Sequence, residues 1–235
     1  DMERGPGGEV WRPAAGTFEG WPRFAKDISM LDPCMGSGHF LVFALLIFVA
    51  IRMAEEGLTE KDAVLAVLRN NLFGLEIDQR CTQIAAFNLA LAAWRRTGYC
   101  PLPTLNLACS GLAIGVSKSE WLELADELAD LSPVPPERDL LGTEENLFSD
   151  RIKSGLETLY NLFSKAPILG SLINPRKAGS DLLEAGFDEL ESLLVTLFAK
   201  QKNETVAEMA VAAHGIAKAA EILAGQFTIV ATNVP

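Results

Sequence analysis

Residues 28 to 40, Ile-Ser-Met-Leu-Asp-Pro-Cys-Met-Gly-Ser-Gly-His-Phe, restrict the fold of this chain more than any other stretch. A short apolar strand ends at Asp32, a turn carries two glycines, and the uncharged run from Phe40 to Ile51 reads as the helix that follows. Gly36 and Gly38 can adopt positive φ without strain, and their bare backbone lets a ligand come close. In open α/β sheets ligands bind beyond the carboxyl ends of the strands, where Asp32 falls. A glycine turn alone is a weak signal, since a tight strand-to-helix turn needs the same residues for packing.

Two further features narrow the choice. Residues 72 to 78, Leu-Phe-Gly-Leu-Glu-Ile-Asp, form a second apolar strand ending in an acid and leading into an amphipathic helix. A carboxylate at that position can accept hydrogen bonds from the two vicinal hydroxyls of a ribose. Glu76 lies 38 residues after Gly38, more than the roughly 20 of the dinucleotide fingerprint, because two helical segments intervene; this argues against an ordinary nicotinamide site. Finally, Phe227 to Pro235 is a β-branched strand that delivers Asn233 and Pro235 at its tip. Asn is also a common turn residue before proline.

The three motifs, Asp32 to Phe40, Glu76-Ile77-Asp78 and Asn233-Val234-Pro235, resemble those of class I S-adenosylmethionine-dependent methyltransferases that act on amino groups, most closely adenine-specific DNA methyltransferases. Trp11 to Gly20, the Gly-Leu-Glu-Ile-Asp block and Leu105 to Gly111 resemble the large methyltransferases of BREX phage-resistance systems. The resemblance implies a Rossmann-like α/β core, with Asp32, Cys34, Gly36, Gly38, His39 and Phe40 around the methionine part of S-adenosylmethionine. It places Glu76 on the ribose and Ile77 against the adenine ring, and Ser110 falls where related enzymes often hold an acid for the adenine amine. Asn233 and the Val234 carbonyl, followed by Pro235, would accept from the exocyclic amine of the target. His39 has two equal readings, the cofactor carboxylate or a local bond. Cys34 and His214 read more simply as packing residues.

Val234 departs from the family pattern, which has Pro there; Pro235 still biases it toward an extended backbone. The aromatic residue that follows in the family does not appear, and the chain opens on Asp1, so an excised piece of a larger enzyme is expected, inactive alone. Rival readings are an amino-methyltransferase acting on protein glutamine or ribosomal RNA guanine, and a noncatalytic scaffold.

The balance of 20 basic and 31 acidic residues, a net charge of −11, opposes nonspecific attraction to phosphates. Double-stranded DNA would therefore be held mainly by segments outside this sequence, alongside possible protein partners of a defence system. Phe40 to Ile51 is too short to span a bilayer, and the four cysteines show neither metal-ligand nor redox spacing. Reduced thiols and a cytoplasmic location are the expectation, with no metal and no membrane.

The pattern along the chain predicts βαβαβ to about residue 116, a helical insertion over 117–225, and a fourth core strand over 226–235. Helices are expected from Phe40 to about Met53, from a capping box at Thr59 and Asp62 to Asn70, and from an Asp78 cap to about Arg96, stopped by Gly98. A third strand is expected around 104–109. Within the insertion, leucine and alanine spacing predicts helices near 119–131, 144–165, 180–200 and 204–224, with Ser180 and Asn203 as caps. The simplest role for that insertion is packed decoration; a lid or partner surface is the alternative.

Overall fold

The computed structural model describes residues 2–4, 11–13, 19–112, 114–129, 143–178 and 204–233. Strands β1 (Met2–Arg4) and β2 (Trp11–Pro13) pair antiparallel as a small ribbon. The main sheet holds β3 (Met30–Asp32), β4 (Leu72–Glu76), β5 (Asn106–Cys109) and β6 (Ile229–Val230) in the order β5-β4-β3-β6, every pairing parallel. Sequential strands spread outward from β3 to one side while β6 returns on the other. The strand order therefore reverses beside β3, the position at which open parallel sheets form a ligand crevice.

The period-2 alternation of the strands sorts their side chains into two layers. Met30, Leu72 and Leu107 face helices α1 (His39–Glu56), α2 (Glu60–Asn70) and α3 (Gln79–Thr97), where Leu41, Leu45, Phe48, Val64, Val67 and Leu89 complete one core. Leu31, Phe73, Leu75 and Ala108 face the other way. They meet α4 (Lys118–Ala129), α5 (Thr143–Phe163) and α7 (Glu204–Ala224) through Trp121, Leu124, Leu156, Phe163, Ile216 and Ala217. A short helix α6 (Ala166–Leu169) and 3-10 turns at Gly170–Leu172 and Pro175–Ala178 lie between α5 and α7. Each fully buried leucine of these layers contributes about 1.5–3 kcal/mol relative to exposure.

Local sequence explains the boundaries. Thr59 accepts from the Asp62 amide at the start of α2, and Asp78 accepts from the Arg80 and Cys81 amides at the start of α3. Gly57 ends α1 in the left-handed region, and Gly98 ends α3. Before β3, the buried Asn71 side chain donates to the carbonyls of Ala25 at 2.7 Å and Ile28 at 2.6 Å, and accepts from Arg52 at 3.2 Å. Arg52 in turn pairs with Glu56 at 2.6 Å, so the entry to the central strand is pinned by a satisfied polar network. The outward face of α1 is apolar as well, with Phe43 64% and Ile47 60% exposed.

The α/β class and the βαβαβ order agree with the sequence reading, as do the helices near 119–131, 144–165 and 204–224. The β1–β2 ribbon was not foreseen. The final strand is shorter than the run Phe227 to Pro235 suggests: β6 has two residues, and among the described residues its only sheet neighbour is β3. The expected helix over 180–200 and the caps Ser180 and Asn203 lie outside the described residues.

Candidate functional site

Asp32 ends the central strand with only 1% of its surface exposed. Its Oδ1 accepts from the Cys34 amide at 3.2 Å, while Oδ2 is buried with no hydrogen-bond partner among the described residues. Burial raises the pKa of this carboxyl, outweighing the Cys34 bond that lowers it, and the nearby Glu76 charge raises it further. An orphaned buried carboxylate oxygen is costly, by about 1–3 kcal/mol or more. It marks a place where a donor is expected.

The turn that follows is tied to its neighbours through its backbone. Met35 donates its amide to the Leu75 carbonyl at 2.9 Å, and Gly38 donates to Met35 at 2.7 Å. Gly38 has φ 80, and a Cβ on it would stand 3.0 Å from the Ala85 Cβ, so glycine is required both by conformation and by the approach of α3. Asn88 of α3 donates to the Ser37 carbonyl at 3.0 Å and fixes the turn from the same side.

Glu76 ends β4 beside this turn. Its Oε2 accepts from the Gly36 amide at 2.7 Å, and its Oε1 accepts from the amides of Ile77 at 2.9 Å and Asp78 at 3.1 Å. The Glu76 carbonyl also receives the Ser110 amide at 2.8 Å, joining the end of β5 to the same cluster. The Ser110 hydroxyl is buried and has no hydrogen-bond partner among the described residues. Two orphaned buried polar atoms thus belong to the ends of β3 and β5, the strands that flank β4 and Glu76. Among the described residues no His, Cys, Asp or Glu cluster could hold a metal ion.

Asp32, Cys34, Gly36, Gly38 and Glu76 are thereby brought together. His39 is exposed, with its Nδ1 2.9 Å from Ser37 Oγ, a local bond. Phe40 and Ile77 are partly exposed at the rim. Asn233 follows β6 by three positions and is exposed. Leu31 pairs with Val230, so the segment leading to Asn233 leaves the sheet at the Asp32 end. Val234 and Pro235 lie outside the described residues. Sequence reasoning did not find the turn Gly170–Leu172, whose Ser171 Oγ lies 3.9 Å from the Cys34 Sγ. Its only local signal is the Gly-Ser pair after Pro167.

A parallel sheet in this order, with a glycine turn after the central strand and an acid ending the next, defines a Rossmann-like core of the methyltransferase type. No family model matches the chain. Among curated proteins it is 30% identical over 217 residues to the adenine-specific methyltransferase BrxX of Escherichia coli O9:H4 (strain HS), covering 89% of this chain and 17% of that protein. It is 35% identical over 66 residues to the adenine-specific methyltransferase PglX of Lacticaseibacillus casei (strain Zhang), covering 28% of this chain and 5% of that protein. It is 37% identical over 70 residues to a Methanocaldococcus jannaschii protein named putative type II restriction enzyme and methyltransferase RM.MjaORFECS2P, covering 28% of this chain and 6% of that one. The chain is therefore similar to BrxX along most of its length and to PglX over 28% of it, and it spans 17% or less of each relative.

Proposed function

We propose that this chain is the S-adenosylmethionine-binding core of an adenine-specific DNA methyltransferase acting within a protein of the relatives' length. The observation that carries the reading is the pair of orphaned buried oxygens, Asp32 Oδ2 and Ser110 Oγ, around the Glu76–Gly36 bond at the sheet's ligand-binding end. The polar groups suit the cofactor: Asp32 for the amino group of its amino-acid part, Glu76 for the ribose hydroxyls, Ile77 for the adenine face, and Ser110 for a polar atom of the adenine edge. On this reading residues 1–116 and 226–235 make the core and 117–225 the insertion.

The cofactor supplies a methyl group already activated on a sulfonium. An aromatic amine is a poor nucleophile because its lone pair is delocalised into the ring. Two acceptors, the Asn233 side-chain oxygen and the Val234 carbonyl, would draw on the amine hydrogens and favour a pyramidal nitrogen with an available lone pair. The remainder is positioning, which needs neither metal nor catalytic triad. An adenine in duplex DNA must be flipped out to reach Asn233. With a net charge of −11, this chain contributes little to holding the DNA backbone, and basic surfaces elsewhere in the longer protein would do so. A role in phage defence or restriction–modification follows from the likeness to the relatives.

The test is calorimetric titration of the chain with S-adenosylmethionine and S-adenosylhomocysteine, repeated with Asp32→Ala and Glu76→Ala. Saturable binding lost in both variants is expected; no binding by the folded chain overturns the reading. For the target base, the full-length protein should transfer label to adenine in DNA, and Asn233→Ala should abolish transfer while leaving cofactor affinity intact.

A further inference from the structure

Among the described residues, the helical layer between β5 and β6 meets the loops at the carboxyl ends of β3 and β4 at the turn around Gly170. Gly170 sits with φ 48, and a Cβ on it would lie 3.1 Å from the Ile77 Cδ1 and 3.4 Å from its Cγ1. The next residue, Ser171, brings its hydroxyl to 3.9 Å from the Cys34 thiol. One short turn therefore touches both the glycine turn after β3 and the residue after Glu76.

The turn is held firmly. Ala166 before it and Ile173 after it are buried in the core shared with Leu31 and Leu75. Arg176 donates its Nε to the Ala224 carbonyl at 2.7 Å and a further nitrogen to the Gly225 carbonyl at 3.1 Å, binding the segment to the end of α7 just ahead of β6. Despite these anchors, Ile168 is 83% and Leu172 80% exposed. A fixed turn that touches both the glycine turn and the residue after Glu76 stands where a ligand crevice forms at this end of a parallel sheet.

We propose that Gly170–Leu172 is a wall of the cofactor pocket, running from Cys34 of the glycine turn to Ile77 and closing the adenosyl side; this rests on the cofactor reading above. The insertion is then part of the binding site. Glycine at 170 keeps the turn close to Ile77 without displacing it. Cofactor affinity is set jointly by the two core strands and a segment about 95 residues beyond Glu76 in sequence.

Calorimetric titration of the 235-residue chain with S-adenosylhomocysteine and with 5′-methylthioadenosine, which lacks the amino-acid part, tests this on Ser171→Phe, with Lys153→Phe on α5 as a control of equal bulk. Ser171→Phe should weaken both ligands at least tenfold, with an unchanged melting temperature and no change in Lys153→Phe. Wild-type affinity in Ser171→Phe overturns the assignment, as does a loss confined to S-adenosylhomocysteine, which would move the wall to the methionine side. If Ser171→Phe melts early, Ser171→Ala and Leu172→Asp decide: equal affinity in both overturns it. Failure of the unmodified chain to bind either ligand overturns the cofactor reading, and this inference with it.

Discussion

The Glu76 carboxylate, at the end of one strand, accepts the amide of Gly36, in the turn after the neighbouring strand, at 2.7 Å. With the Ile77 and Asp78 amides, three donors occupy a group that offers about four acceptor positions. Two ribose hydroxyls need two of them, so one amide must be released or shared when the cofactor binds. Gly36 is the donor from another strand's turn, whereas the Ile77 and Asp78 bonds are local to Glu76 and kept by chain geometry. The Gly36 amide resonance should therefore shift on titration with S-adenosylhomocysteine, more than that of Ile77 or Asp78. Glu76→Gln turns an amino group toward backbone donors and should cost about 1–3 kcal/mol in urea unfolding of the ligand-free chain.

Asp32 should destabilise the ligand-free chain at neutral pH. Its folded pKa is raised, chiefly by burial, so between the unfolded and folded values the native state holds more protons than the unfolded one. Stability from this group then falls as pH rises through the folded pKa, and the full penalty persists above it. Asp32→Asn should unfold at higher urea than wild type at pH 7, by about 1 kcal/mol. The gap should close as pH is lowered below the ordinary Asp range, and cofactor affinity should be lost throughout. Equal midpoints at pH 7 would contradict this.

Gly38 combines two constraints that can be separated. Gly38→Ala meets both the positive φ and the Ala85 Cβ at 3.0 Å, and should lower stability by about 1–3 kcal/mol. Adding Ala85→Gly removes the nearest atom but leaves the backbone Cα of residue 85 at 3.2 Å and the strain of positive φ, so the double variant should recover only part of the loss after allowing for the helix cost of the new glycine. Full recovery in thermal melts would mean that the φ constraint is negligible.

Asn71→Ala tests the network at the entry to β3. It removes one of the partners of Arg52, which Glu56 still holds, and leaves two buried carbonyls without their donor, and should cost about 2 kcal/mol. Because the network stands at the opposite end of β3 from Asp32, the folded fraction should bind S-adenosylhomocysteine with wild-type affinity, which calorimetry at low temperature would check.

The parts of the fold readable from sequence were those set by neighbours in the chain. Asp78 caps α3 through its own next residues, Thr59 does so for α2, and the uncharged run after Gly38 is the helix α1, although its uniform apolarity suggested burial all round and one face is exposed. Asp32 and Glu76 were recognisable because each closes an apolar strand before a helix. Their connection through Gly36 was not, since it depends on how β3 and β4 align. The β1–β2 ribbon is three residues a side across a glycine-rich stretch with no period to detect. The reach of Gly170 to Ile77 is likewise a fact of packing, invisible to local pattern. The length of β6 was overestimated because β-branched composition reports a preference for extension, whereas pairing requires a neighbour.

Ser29 and Thr228, 199 positions apart, exchange hydrogen bonds where β6 joins β3: each residue's amide donates to the other's hydroxyl at 3.3 Å. On a ribosome, everything from Met30 to Cys109 can assemble long before that join is possible, leaving the central strand with one open edge for the synthesis of more than a hundred residues. At a translation rate of about 5–20 residues per second, this is a wait of roughly 6–25 s. During it, an unpaired apolar strand edge is a template for any other extended segment. The order of strands that builds the crevice thus also makes β6 the cover of the β3 edge, and truncation before Ile229 should make the chain more prone to aggregate.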